Sequence, residues 1–311
     1  MKISYQKYIF SIRAKETIFL PSYKGSTFRG GFGNSFKSVV CVFKNKYCRD
    51  CPIMNECSYS YIFETPVPPG LGILNMNKYE TIPHPFIIEP PLTKEEIWEK
   101  GSIISFNVIL IGQATRYLTH FIMAFEYLGE KGLGKGRGKY ELVEIRTGDD
   151  IIFTDSNRTI SLKSDEFIEI PEKFEIDKGT EREVSLTYLT PTRIKYQRNF
   201  VTRIEFFMLI TNLLRRLNLL HYYHVEARPP EWNHRLLIEE ARKVLIRNDT
   251  SRWVDWERYS HRQRTRMKLG GVVGNVIYEG RISPFEMVLK AGELFHVGKG
   301  TSFGLGMYKV R

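Results

Sequence analysis

The feature that most constrains this chain is a glycine-rich turn from helix to strand that occurs twice. The first is Gly129-Glu-Lys-Gly-Leu-Gly-Lys-Gly-Arg-Gly-Lys-Tyr-Glu-Leu-Val-Glu-Ile145, and the second is Val297-Gly-Lys-Gly-Thr-Ser-Phe-Gly-Leu-Gly-Met-Tyr-Lys-Val310. Gly134-Lys-Gly136 matches Gly298-Lys-Gly300, and Gly138-Lys-Tyr140 matches Gly306-Met-Tyr308. Glycine admits positive φ and close backbone approach, so each turn demands one particular path of the chain. Ahead of both turns the apolar pattern runs in one order: strand, helix, strand pair, helix. With the strand that follows each turn, this is the βαββαβ order of a ferredoxin-like or RRM-like fold. The expected class is α+β, two tandem ferredoxin-like domains, and 311 residues suit two domains. The boundaries read 1–146, an acidic hairpin and connection at 147–182, and 183–311.

The element assignments follow from periodicity and caps. Tyr5–Ala14 alternates as a strand, and Ser26 or Thr27 is placed to cap a helix carrying Phe28, Phe32, Phe36 and Val40 on one stripe. Strands are expected near Tyr59–Glu64, Phe86–Glu89, Ser102–Ile111, Ile151–Thr154 and Thr159–Leu162, and a helix over Thr115–Leu128. In the second half a strand over Glu183–Lys195 precedes a long helix from about Asn199 to His224. Two strands are expected within Arg252–Gly280, then a helix over Pro284–Phe295.

Charge narrows the partner. Lys plus Arg number 46 against 35 Asp plus Glu, a net of +11. The excess is +7 over residues 1–140, −7 over 141–190, +9 over 191–268 and +2 over 269–311. Two basic blocks around an acidic middle point to two lobes that meet a polyanion. No run of about 18 apolar residues is present, so no membrane span is expected, and the N-terminus lacks the apolar core of a secretion signal. A cytoplasmic protein is the expectation.

Four groups of residues carry possible chemistry. Basic side chains sit in the turns, with Lys131, Lys135, Arg137 and Lys139 in the first and Lys299 in the second. Backbone N–H groups of such turns can face phosphate oxygens, the alternative being glycine needed for packing alone. Arg262, Arg264, Arg266 and Lys268 alternate, so a strand would present them on one face as a track for a nucleic-acid backbone; a solvated sheet edge is the alternative. Cys41, Cys48, Cys51 and Cys57 are the chain's four cysteines, spaced C-x6-C-x2-C-x5-C. Four thiolates so close suit a structural zinc; an iron–sulfur cluster, two disulfides or free buried thiols are the alternatives. His221 and His224 close the long helix around Tyr222 and Tyr223; an imidazole there serves either proton transfer or packing.

These residues resemble a known family. Gly270-Gly-Val-Val-Gly274 with Gly298-Lys-Gly-Thr-Ser-Phe-Gly-Leu-Gly306 is similar to the C-terminal signature of the CRISPR-associated RAMP endoribonucleases that cut precursor CRISPR RNA within its repeats. Phe28-Arg-Gly-Gly-Phe-Gly33, the four-Cys loop ending in Cys57-Ser-Tyr59, Thr190-Pro-Thr-Arg-Ile194 with Arg215-Arg216, and Arg258-Tyr-Ser260 through Gln263 resemble the same branch. The resemblance implies two RAMP domains and a repeat-RNA substrate. It also implies metal-independent cleavage by the ribose 2′-OH, giving a 2′,3′-cyclic phosphate and a 5′-OH. On that footing Arg29, Lys135, Arg137, Arg193, Arg262, Arg264, Arg266, Gly298, Lys299, Gly300, Gly304 and Gly306 are the candidate RNA-binding residues. One departure stands out: the family often places a histidine near the first helix, and Tyr23–Val40 has none, with Asn34 at the expected place. The candidate catalytic residues are therefore His221, His224, Tyr23, Lys24 and Lys37. The alternative function is a non-catalytic crRNA-binding subunit that joins other CRISPR effector subunits. Whether the chain forms a homodimer stays open.

Overall fold

The structure is a computed structural model that describes residues 1–44, 47–68, 70, 73–74, 81–176, 181–255, 257–260 and 265–311, the segments 257–260 and 265–268 by backbone alone. It divides into two compact units. The N-terminal unit holds Ser4–Phe167 with Tyr223–Val225, and the C-terminal unit holds Met1–Ile3, Ile168–Tyr222 and Glu226–Arg311.

In the N-terminal unit the elements are β1 (Lys2–Ala14), β2 (Ile18–Phe19), α1 (Gly25–Val40), β3 (Phe86–Glu89), β4 (Ile97–Trp98), β5 (Ile103–Ile111), α2 (Leu118–Lys131), β6 (Tyr140–Thr147) and β7 (Asp150–Thr154). Strands β3, β5, β1, β6 and β7 lie side by side in that order, each pair antiparallel. Four of them reproduce the ferredoxin-like order for a βαββαβ chain. Both helices cover one face, and Phe28, Phe32 and Phe36 from α1 meet Phe106, Phe121 and Phe125 in an aromatic core. Strand β8 (Glu166–Glu169) stands where the chain passes to the second unit.

The C-terminal unit repeats the plan. Its elements are β9 (Glu181–Thr192), β10 (Lys195–Tyr196), β11 (Asn199–Phe200), α3 (Phe206–His224), α4 (His234–Ala241), β12 (Leu245–Asp249), β13 (Arg252–Val254), β14 (Glu257–Ser260), β15 (Thr265–Lys268), β16 (Gly271–Arg281), α5 (Glu286–Phe295) and β17 (Tyr308–Val310). Its sheet runs β12–β16–β9–β17, the same order of strands, with β13 also on β16. The tandem ferredoxin-like class is what the paired turns predicted. No helix among the described residues is long and apolar enough to cross a membrane.

Five local expectations are corrected. Tyr59–Glu64 is not a strand: Ser60–Glu64 forms one π-turn closed by Thr65 N–H on the Ser60 carbonyl. Its alternating aromatics read as β, yet the turn is what lets Ile62 enter the core. Helix α1 starts from Lys24, and neither Ser26 nor Thr27 caps it. Residues 159–162 form no strand. The long helix begins at Phe206, because Gln197 and Arg198 both adopt positive φ and turn β10 back as β11. Finally, Arg252–Gly280 contains four strands rather than two.

Candidate functional site

In the C-terminal unit the second glycine-rich turn assembles cations. Gly298 has φ +83°, and a Cβ there would lie 2.5 Å from the Arg193 carbonyl, which accepts the Lys299 N–H at 3.0 Å. That contact fastens the turn to the end of β9. From there Arg193 lays its guanidinium 4.5 Å from the Phe200 ring centre, and Lys195 places Nζ 4.9 Å from the same ring. The β10–β11 hairpin supplies Phe200 as a shared platform for both cations. Lys299 reaches solvent beside them; local packing, then Arg215 and Lys195, push its ammonium down. The Arg193 Nε is buried and has no partner among the described residues. An orphaned donor among like charges is what an anion would satisfy.

Five of the turn's amides bond to carbonyls inside the fold. Besides Lys299, the N–H groups of Val297, Phe303, Gly304 and Gly306 bond to the carbonyls of Gly306, Gly300, Thr301 and Pro191. Gly298, Gly300, Gly304 and Gly306 all have φ between +74° and +83°. These glycines therefore shape the turn, and the side chains around it carry the charge.

The candidate histidines have different surroundings. His221 lies in the C-terminal unit, buried, and its Nδ1 has no partner among the described residues. Burial is the main cause that lowers its pKa. His224 belongs to the N-terminal unit and is 0% exposed. Its Nε2 lies 2.7 Å from the Pro83 carbonyl and its Nδ1 3.3 Å from the Tyr61 hydroxyl. A carbonyl only accepts, so Nε2 donates and Nδ1 accepts from Tyr61.

Of the other candidates, Lys24 is fully buried, its Nζ donating to the carbonyls of Ser22 (3.0 Å) and Thr93 (2.7 Å) beside the Trp98 ring. It holds the entry to α1. Tyr23 is half-buried, and burial raises its hydroxyl pKa. Lys37 lies 5.6 Å from the Tyr59 ring centre. Lys135 and Arg137 are exposed on the first turn. Arg262 and Arg264 lie outside the described residues; Arg266 sits on β15 opposite Tyr259 of β14.

The N-terminal unit also gathers a group that sequence reasoning missed. A Cβ on Gly33 would fall 2.1 Å from the Phe63 ring, so glycine there makes a seat for that ring on α1. One helical turn earlier, Arg29 stacks its guanidinium 4.3 Å from the centre of the same ring. His84 stacks on Phe63 as well, with its Nε2 3.0 Å from Arg29 Nη2 and its Nδ1 2.8 Å from Thr65 Oγ1. Thr65 in turn donates to the Ile82 carbonyl. Asn34, where the family pattern places histidine, is exposed. The signal available in the sequence was Pro83-His-Pro85, which stiffens the chain around one half-buried histidine.

The four cysteines form no disulfide with one another, and each is half-buried. The Cys51 N–H closes the C-x-x-C turn on the Cys48 carbonyl at 3.1 Å, and Cys48 and Cys57 pack on the aromatic core. Burial raises the Cys48 thiol, Lys37 opposes it, and Glu64, Cys41 and Cys57 add to the rise. Among the described residues no three His, Cys, Asp or Glu side chains converge as a metal-binding group.

Comparison with known proteins bears on both units. A family model described as AF_1859_N, N-terminal domain, matches residues 3–165, and one described as CRISPR-associated endoribonuclease Cas6 matches residues 186–308. An uncharacterized protein of Archaeoglobus fulgidus is 26% identical over 305 residues, 94% of this chain and 93% of that one. Among solved structures, a Thermus thermophilus Cas6 product complex is similar with a TM-score of 0.56 at 13% identity, covering 99% of this chain and 100% of that chain. A partial complex of Cas6-RT-Cas1 with Cas2 has a TM-score of 0.57 at 12% identity, covering 99% of this chain and 46% of that one. These structural likenesses concern the fold.

Proposed function

Because this chain belongs to the AF_1859_N family and is a CRISPR-associated RAMP-type protein, we propose that it binds CRISPR repeat RNA and cleaves it without a metal in the reaction. The observation that carries this reading is the cation cluster of Arg193, Lys195, Arg215 and Lys299 on the second turn, within the segment that matches the Cas6 endoribonuclease model. In the proposed reaction the ribose 2′-OH attacks the adjacent 3′ phosphate, leaving a 2′,3′-cyclic phosphate and a 5′-OH. A base removes the 2′ proton and cations stabilise the charge that builds on phosphorus. Repeat RNA incubated in EDTA is expected to be cut, and the same RNA with a 2′-deoxy at the scissile position to stay intact. Cleavage of the deoxy RNA would sink the mechanism, as would loss of cutting in EDTA while the protein's melting temperature is unchanged. Tight binding of repeat RNA that stays uncut for hours would instead favour the crRNA-binding subunit, a reading that the exposed Asn34 keeps in play.

We also propose a structural zinc on Cys41, Cys48, Cys51 and Cys57, a reading that rests on their spacing and shared loop. Binding would draw the thiolates together and pin the loop, with no part in catalysis. About one zinc per chain is expected from a four-thiolate site. Metal-free fresh protein, together with an unchanged melting temperature for Cys51→Ser, would remove it.

A further inference from the structure

We propose that His84 is the general base of this chain, that Arg29 is the cation that meets the scissile phosphate, and that Thr65 positions the imidazole. The proposal rests on the reading above that the chain cleaves RNA. No histidine lies on α1, and the N-terminal unit brings one to that helix from 55 residues away.

The hydrogen bonds of His84 to Arg29 and Thr65 fit one arrangement of protons. A guanidinium only donates, so Nε2 accepts from Arg29 at 3.0 Å. Nδ1 then carries the proton and donates to Thr65 Oγ1 at 2.8 Å, whose own hydroxyl proton goes to the Ile82 carbonyl. A doubly protonated ring would set an N–H against the guanidinium. This arrangement leaves the lone pair on Nε2, the form a general base requires.

The supports of this ring are costly to build. Thr65 is buried and has φ +45°, a left-handed backbone that a β-branched residue avoids. It persists because its N–H closes the π-turn and its carbonyl accepts the Ile82 N–H at 2.9 Å. His224 holds the adjacent Pro83 carbonyl, and Phe63, seated on Gly33, backs both Arg29 and His84. Both partners are half-buried and reach solvent in part.

A phosphate that takes the Arg29 guanidinium releases Nε2. The 2′ oxygen then bonds to phosphorus as the bond to the 5′ oxygen breaks, and the 2′ proton passes to Nε2. The departing 5′ oxygen takes its proton from a water molecule, and the resulting hydroxide recovers the proton from the imidazolium. Charge and atoms balance with water as the one co-reactant.

The test compares wild type, His84→Ala and His84→Gln for cleavage of repeat RNA and for affinity toward the uncleavable 2′-deoxy RNA. A general base contributes roughly 10²–10⁴-fold. A rate loss of that order is expected with affinity held within about twofold, and added imidazole restores part of the activity of His84→Ala. Thr65→Val slows cleavage and Thr65→Ser restores it, as a positioning hydroxyl demands. If wild type cuts and both His84 variants cut at its rate, the base lies elsewhere and the cleavage reading stands. Parallel loss of rate and affinity in both His84 variants makes the residue structural and overturns the proposal. A wild type that binds without cutting overturns the proposal and the cleavage reading together.

Discussion

The two glycine-rich turns share one backbone at their Gly-Lys-Gly step and have different surroundings. Gly134 and Gly298 have φ of +77° and +83°, and Gly136 and Gly300 have +82° and +81°. In the first turn the Lys135 N–H bonds the Phe19 carbonyl at 2.9 Å; in the second the Lys299 N–H bonds the Arg193 carbonyl at 3.0 Å. A Cβ would meet those same carbonyls at 2.1 and 2.5 Å. The difference lies in the residue that lends its carbonyl. Phe19 brings an apolar ring, 43% exposed, whereas Arg193 brings a cation with a buried, orphaned Nε and neighbours that stack on Phe200. Glycine spacing thus encodes a chain path, and the strand end docked against it decides which side chains gather at that path.

The largest test of this comparison is charge removal. Arg193→Ala with Lys299→Ala should weaken repeat-RNA binding by about tenfold per side chain, the scale of a hydrogen bond to a charged group. It should also flatten the dependence of log affinity on log salt by about 1 per residue. Lys135→Ala with Arg137→Ala, both exposed on the first turn, should change affinity far less. Equal losses in a filter-binding series at two salt concentrations would erase the distinction.

Next in size is the backbone itself. Gly134→Ala and Gly298→Ala should each destabilise their unit by at least about 1–2 kcal/mol, the cost of a left-handed residue, with more from the displaced carbonyl. Gly136→Ala adds a Cβ to open space at φ +82°, so it reports the backbone cost alone. Denaturant unfolding that ranks Gly136→Ala with or above the other two would show that the shared carbonyl contact is not what holds the turns.

The smallest effect concerns His221, which the C-terminal unit buries. Burial lowers its pKa from 6.5, so the folded protein keeps it neutral while the unfolded chain takes up a proton near pH 6.5. Its contribution is whole above that pH and is lost as pH falls from 6.5 toward the folded value. Melting temperatures of wild type and His221→Leu should therefore converge with acidification, in the direction of wild type losing more. A constant gap between them from pH 7.5 to 5 would show that His221 does not titrate between the folded and unfolded states.

Much of the fold was legible because apolar periodicity and glycine act locally. The stripe Phe28, Phe32 and Phe36, the strand at Ile103–Ile111 and the matched turns need no distant information. The misreadings share a cause in local ambiguity. Tyr59, Tyr61 and Phe63 alternate like a strand, but the seat left by Gly33 favours a turn that lays Phe63 on α1. Asn199 begins a helical stripe on paper, yet two left-handed residues before it commit it to a hairpin.

The candidate site divides along the same line. Spacing and charge singled out Lys299 as a candidate, because it lies on a turn whose path glycine dictates, and Arg193 entered as a candidate through the family resemblance of Thr190-Pro-Thr-Arg-Ile194. Lys195, Arg215 and Phe200 joined them only through the hairpin and helix that bring them to one turn. His84 shows the limit most plainly. Its partners Arg29 and Thr65 are 55 and 19 residues away, and the distance along the chain carries no mark of their contact. By itself the sequence determined two copies of one βαββαβ plan and a basic chain, since chirality, periodicity and sterics are properties of neighbouring residues. The tertiary structure alone decided which guanidinium Nε is left without a partner among the described residues and which histidine is laid beside Arg29. Burial and hydrogen-bond completion depend on what folding brings close.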